Sequence, residues 1–265
     1  MTTNDEPFRI GGVPYLVGAP LLHGLAGDPA VDLVRDRPRR LVDGLRSGRY
    51  EAALVSSIEG FRTPGYAALP DLGIACDDEV RSVRAFLACP PARVRSLAVD
   101  DGSETSVALC RILLERRFGA ALERCVRIEP TLRPDEVEAD AVLLIGDAGL
   151  RAEPGPRDVL DLGHAWREWK DLPFVFALWL LNAEGPRAAR LAALLRRSHE
   201  AGRAAGVEDG TGGSIRYALT EAHRAGLAAF HAEAAAAGLC DSALAPAWIE
   251  VEDPSRSHAS RQPEG

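Results

Sequence analysis

Short apolar runs alternate with amphipathic stretches along most of this chain, the pattern of strands joined by helical crossovers. Phe8-Arg9-Ile10-Gly11-Gly12-Val13 reads as a strand that stops at Pro14, and residues 16–25 suit a helix entered from a tight turn. Val31–Arg35 is a second strand candidate, followed by a helix from Pro38 to Ser47 with Pro in its first turn and Gly48 just past its end. Tyr50-Glu51-Ala52-Ala53-Leu54-Val55 is a third strand. Such alternation predicts parallel strands with helices packed on their faces.

Residues 72–75 and 82–87 read as two strands joined by the polar turn Cys76-Asp77-Asp78-Glu79, and Cys89-Pro90 breaks the pattern. A lobe boundary is expected there. Beyond it come a strand at 96–100, an amphipathic helix over 107–118 capped by a residue between Ser103 and Ser106, and strands at 124–128 and 139–145. The run Phe174–Leu181 is apolar enough for a strand buried on both faces. Two helices are expected after it, over 187–205 and 214–238, the second broken near Gly226. The organisation that follows is a discontinuous first lobe, residues 8–89 and 184–252, a second lobe of residues 90–183, and a disordered tail at 253–265 rich in Pro, Ser and charge.

Composition narrows the function. A chain of 265 residues with 46% hydrophobic residues is near the size at which one core splits into two. The net charge of −8 argues against a nucleic-acid or anionic-membrane surface, so an anionic ligand needs a local pocket. No apolar run reaches the roughly 20 residues that cross a bilayer, and the polar start at Met1 to Pro7 does not read as a signal peptide, so a cytoplasmic protein is expected. Cys76, Cys89, Cys110, Cys125 and Cys240 form no CxxC pair and read as reduced core thiols, with no metal site expected. Trp166, Trp169 and Trp179 read as packing, and the histidines form no triad. No nucleotide fingerprint is present, and oligomeric state is left open.

Several segments in order resemble the chorismate dehydratase family of the futalosine route to menaquinone. They are Arg9-Ile10-Gly11-Gly12-Val13-Pro14-Tyr15-Leu16, Ala53-Leu54-Val55-Ser56-Ser57-Ile58-Glu59, Val80-Arg81-Ser82-Val83, Leu97-Ala98-Val99-Asp100 with Thr105-Ser106-Val107, Leu144-Ile145-Gly146-Asp147, Asp161-Leu162-Gly163, and Leu172-Pro173-Phe174-Val175-Phe176-Ala177-Leu178-Trp179. The resemblance implies an α/β, two-lobed, type II periplasmic-binding-protein-like fold with a ligand cleft between the lobes. It further implies a lyase that eliminates water from chorismate to give 3-[(1-carboxyvinyl)oxy]benzoate, with no metal or organic cofactor.

On that resemblance Ser82 is the expected catalytic hydroxyl, and Tyr15, Val17, Ser57, Arg81, Thr105 and Ser106 are expected to bind substrate. A helix start at Thr105 and Ser106 suits a carboxylate, because unpaired backbone N–H groups and the helix dipole converge there. Arg81 could face a substrate carboxylate, Glu59 fits a structural hydrogen-bonding role, and Asp147 fits a turn. The chain departs from the family at two loop positions: Val17 stands where the family carries an Asn, with a side chain that neither donates nor accepts, and Ser56 stands where the family carries a Pro before the serine of the third-strand loop. The rival reading is a non-catalytic binding protein for a small aromatic carboxylate.

Overall fold

A computed structural model describes residues 6–100 and 102–249. The tail expected at 253–265 lies outside the described residues, as do the first five residues. The elements are β1 (Phe8–Gly12), α1 (Ala19–Leu22), β2 (Val31–Arg35), α2 (Pro38–Arg46), β3 (Ala52–Ser56), β4 (Ala67–Cys76) and β5 (Val83–Leu87). They continue with β6 (Ser96–Val99), α3 (Glu104–Ile112), β7 (Arg124–Arg127), β8 (Ala141–Ile145), α4 (Gly146–Arg151), β9 (Asp158–Asp161) and α5 (Leu162–Lys170). The chain then returns through β10 (Phe174–Leu181), α6 (Gly185–Ala204), β11 (Ile215–Ala218), α7 (Glu221–Ala236) and β12 (Ala247–Trp248).

Two sheets organise the molecule. A seven-stranded sheet has the order β11-β4-β10-β3-β1-β2, with β12 beside β4, and a five-stranded sheet has the order β7-β6-β8-β5-β9. In the first, β1 runs parallel to β2 and β3 while β10 is antiparallel to both β3 and β4. The chain crosses between the sheets twice, at 77–82 and 171–173. Each crossing holds one of the two non-glycine residues with positive φ among the described residues, Arg81 (60°) and Asp171 (54°), so both connections contain a left-handed kink that an L-residue adopts at a cost.

These sheets correct the expected lobe boundaries. β5 belongs to the five-stranded sheet between β8 and β9, and β10 is a central strand of the seven-stranded one. The turn at 76–79 therefore separates strands of different sheets rather than closing a hairpin, and Cys89-Pro90 merely ends β5. The all-apolar β10 needs neighbours on both edges and cover on both faces, and only the gap between β3 and β4 provides them.

Helices depart from expectation in two places. Residues 16–25 break into short 3₁₀ turns flanking the four-residue α1. Residues 215–218, expected as helix, pair with β4, and α7 starts only after Thr220, whose side chain and His223 form a reciprocal cap. α7 then runs unbroken through Gly226, where any Cβ would overlap the Pro173 carbonyl; the glycine is there for close packing. Trp166 and Trp179 are fully buried, and Trp166 meets Phe174 edge-on at 5.3 Å. Cys110 is buried on α3, and burial raises its thiol far above the usual range.

Candidate active site

A cleft opens between the two sheets where five loops meet. Its walls are Val13, Leu54, Val55, Ile74, Phe176 and Ile215 from one side and Val83, Ile145 and Gly146 from the other, with the hydroxyls of Ser56, Ser82, Ser103 and Ser106 among them. Among the described residues no charged side chain lines it. It is closed down to about 60 Å³, well below the roughly 300 Å³ of a typical small-ligand pocket, so the lobes must part for an aromatic ligand to enter.

Of the expected site residues, the structure brings Ser82, Ser106, Tyr15 and Val17 to this cleft. Ser82 follows a three-residue turn of the γ type: its N–H donates to the Val80 carbonyl at 2.6 Å, with Arg81 at φ 60° between them. The Asp161 carboxylate holds that turn open, accepting the N–H groups of Val80 (3.1 Å) and Arg81 (2.7 Å) while also capping α5 through His164 N–H at 3.1 Å. Ser82 is 3% exposed, and its hydroxyl has no hydrogen-bond partner among the described residues. A strained turn thus presents a buried, unengaged hydroxyl to the cleft.

The start of α3 supplies the opposite wall. Ser103 is its N-cap and accepts the Ser106 N–H at 3.2 Å. Ser103 also meets Ser56 hydroxyl to hydroxyl at 3.3 Å across the cleft. The Ser106 hydroxyl, on a residue 1% exposed, is buried without a partner among the described residues. Leaving a buried hydroxyl unpaired costs about 1–3 kcal/mol, and a ligand acceptor in the cleft would remove that cost. Asp100, 1% exposed, positions this loop by accepting the N–H groups of Gly102 (2.8 Å) and Ile145 (2.7 Å), tying the α3 loop to the loop after β8.

Ser57, Thr105 and Arg81 do not line the cleft. Ser57 and Thr105 are fully buried behind it, where their hydroxyls meet at 3.2 Å; Ser57 donates to the Val175 carbonyl at 2.8 Å and Thr105 accepts the Ile58 N–H at 3.1 Å. Their donors and acceptors are used to dock α3 against the seven-stranded sheet. Arg81 points away, its guanidinium donating to the Thr211 carbonyl at 3.4 Å. The positive φ that turns Ser82 inward turns Arg81 outward. Glu59 is buried and takes two bonds from Arg46, at 2.8 and 2.7 Å, and one from Thr63 at 2.7 Å. Asp147 sits in the first turn of α4, outside the cleft lining.

Ser56, one of the hydroxyls expected after the third strand, lines the cleft, whereas Ser103 and the positioning carboxylates Asp100 and Asp161 escaped the sequence reading of the site. An acid ending an apolar strand before a Gly-containing loop was the available signal for Asp100, and an acid in an N-cap position was the signal for Asp161. Among the described residues no helix is long and apolar enough to cross a membrane.

Similar proteins agree with this architecture. The ligand-binding component of an ABC-type import system from Staphylococcus aureus superposes with a TM-score of 0.63 at 14% identity, covering 92% of this chain and 96% of that one. The alkanesulfonate-binding protein SsuA from Xanthomonas axonopodis pv. citri gives 0.60 at 12% identity, covering 94% and 100%. A protein from Archaeoglobus fulgidus gives 0.64 at 17% identity, covering 89% and 100%. The fold is therefore the two-lobed periplasmic-binding-protein type. In sequence, a chorismate dehydratase from Thermus thermophilus is 30% identical over 215 residues, 74% of this chain and 78% of that protein. With residues 8–208 also matching the family model described as menaquinone biosynthesis, this chain belongs to the menaquinone biosynthesis family.

Proposed function

We propose that this protein is a hydro-lyase that converts chorismate to 3-[(1-carboxyvinyl)oxy]benzoate. The observation that carries the reading is the cleft itself: apolar walls for a ring, with the unengaged hydroxyls of Ser82 and Ser106 aimed into it. In this reaction the ring carbon–hydroxyl bond breaks, the electron pair of the neighbouring ring C–H bond completes the aromatic ring, and proton and hydroxyl leave as water. Aromatisation drives the step, so the protein has mainly to orient the ring and steady the departing group. Ser82 donates to the leaving hydroxyl, while Ser106 and the first N–H groups of α3 hold a ring carboxylate. Tyr15, beside Gly146, borders the ring. Five free thiols fit work in the reducing cytoplasm.

A second reading, a non-catalytic binding protein for an aromatic carboxylate, is favoured by Val17, which lines the cleft with a side chain unable to hydrogen-bond. Incubating the protein with chorismate and following the product by chromatography separates the two. Product formation supports the lyase; tight binding without product overturns it in favour of the binder. Val17→Asn sharpens the choice: a polar group restored at this wall raises turnover about tenfold in a lyase, on the scale of one hydrogen bond to a developing charge, and leaves a binder inactive.

A further inference from the structure

The uncharged cleft leaves a dianionic ligand without a counter-charge, and a second cavity at its rim provides one. A groove of about 610 Å³ shares Pro38 and Ser56 with the cleft and is bordered by Arg39, Arg46, Arg62 and Arg127, together with Asp43, Glu59, Glu104 and Glu129. Three of its arginines are already engaged. Arg46 is paired with Glu59 at 2.7 Å, and Arg62 and Arg127 both pair with Glu104. Burial pushes the Glu104 carboxyl up, but the bonds from Arg127 and Arg62 outweigh it and hold it below the usual range. Arg39 alone among these four has no ion-pair partner among the described residues.

Its setting is electrostatically unfavourable in the absence of an anion. Arg39 lies in the first turn of α2, next to Arg40 and following the Arg37 N-cap, and that turn contains no acidic residue. Cations at a helix N-terminus oppose the macrodipole; Asp36 lies 3.8 Å from Arg40 and accepts the Arg37 N–H at 2.7 Å. The same helix end reaches the cleft through Pro38, and the Ser106 hydroxyl, which no described residue engages, also lines the cleft.

Building on the chorismate reading, we infer that the groove is the subsite for the second carboxylate of an aromatic dicarboxylate, with Arg39 as its counter-ion. The ring occupies the cleft, one carboxylate meets Ser106 and the start of α3, and the side-chain carboxylate passes Pro38 and Ser56 to reach Arg39. The site thereby selects dianions over monoanions, a task for which Arg81, turned outward at the crossing, is unsuited.

The test compares binding of 3-(carboxymethoxy)benzoate with that of 3-ethoxybenzoate, which lacks the second carboxylate, by titration calorimetry on the full chain. The wild-type protein binds the dicarboxylate at least about tenfold more tightly, the scale of a hydrogen bond to a charged group. Arg39→Gln loses that preference while its affinity for 3-ethoxybenzoate and its melting temperature stay unchanged, and Arg39→Lys recovers part of the loss. An Arg39→Gln protein that keeps the wild-type preference, or weakens both ligands equally, overturns the assignment. Chorismate kinetics separate this failure from failure of the lyase reading. Turnover with an unchanged KM in Arg39→Gln refutes the subsite alone; absent turnover with an Arg39-dependent preference refutes the lyase alone.

Discussion

Two sets of hydroxyls, one on the cleft and one just behind it, do opposite work. Ser82 and Ser106 face the cleft with hydroxyls that no described residue engages, whereas Ser57 and Thr105 lie just behind it with theirs fully used. Of the first set, the buried Ser106 hydroxyl is a standing cost to the folded protein that a ligand can remove. The second is a fastening between α3 and the seven-stranded sheet. Stability and recognition are therefore carried by different hydroxyls, adjacent in the chain at Thr105 and Ser106, and substitutions can separate them.

The largest expected effect breaks the cleft side. Ser82→Ala removes the hydroxyl presented by the γ-turn and lowers kcat/KM on chorismate about 100-fold, as loss of a group acting in the transition state does, with the melting temperature unchanged. A fall in stability matching the fall in activity would show that Ser82 belongs with the fastening. Next, Thr105→Val leaves the Ile58 N–H without its acceptor, while Ser57 keeps its bond to the Val175 carbonyl, and destabilises by about 1–3 kcal/mol in denaturant titration. Its counterpart Ser106→Ala removes an unpaired buried hydroxyl, leaving stability unchanged or raised by up to about 1 kcal/mol while weakening substrate binding about tenfold. If both variants unfolded at the same denaturant concentration, the division between the two sets would be wrong.

The smallest effect concerns the crossing that carries Ser82. His164 on α5 meets Asp78 at 2.7 Å, and this bond, with the nearby Asp78, Glu168 and Asp161 charges, raises the imidazole above its ordinary value. A raised folded-state value means that the stabilisation is complete below the unfolded histidine's pKa and disappears as pH rises through the higher folded one. Because both side chains are about half exposed, the pair is worth only a few tenths of a kcal/mol. The melting-temperature difference between the wild type and His164→Ala shrinks from acid to mildly alkaline pH; the wild-type curve itself also carries His199 and His223, which burial lowers and which act in the opposite sense. The cleft serines do not titrate in that window, so ligand-free stability alone responds.

Much of the local structure was legible before any coordinates. Strands β1, β2 and β3, helix α2, the helix beginning near Ser103 and the doubly buried β10 follow from apolar spacing, a proline in a first turn and a capping serine. The segments β9, α4 and α5 carried weaker signals: β9 is a half-exposed edge of four residues, and α4 is too short to show a helical period. The strand β11 hid at the front of an Ala-rich stretch because four residues cannot assert a period of two against the helical composition that follows.

For the site, residue type and order along the chain determined that hydroxyls cluster after strands and at a helix start, and they supplied the family resemblance. Only the tertiary structure decided which hydroxyls meet the ligand. Successive residues at a strand end point to opposite sides, and successive residues on a helix are about 100° apart, so Ser56 and Ser57, or Thr105 and Ser106, are equivalent in sequence until a partner surface covers one of each pair. The same holds for Arg81 and Arg39. One is turned outward by the backbone kink that turns Ser82 inward, and the other is brought to the cleft rim because α2 packs with its N-terminus there. Both outcomes depend on contacts between segments distant along the chain, and no local pattern encodes them.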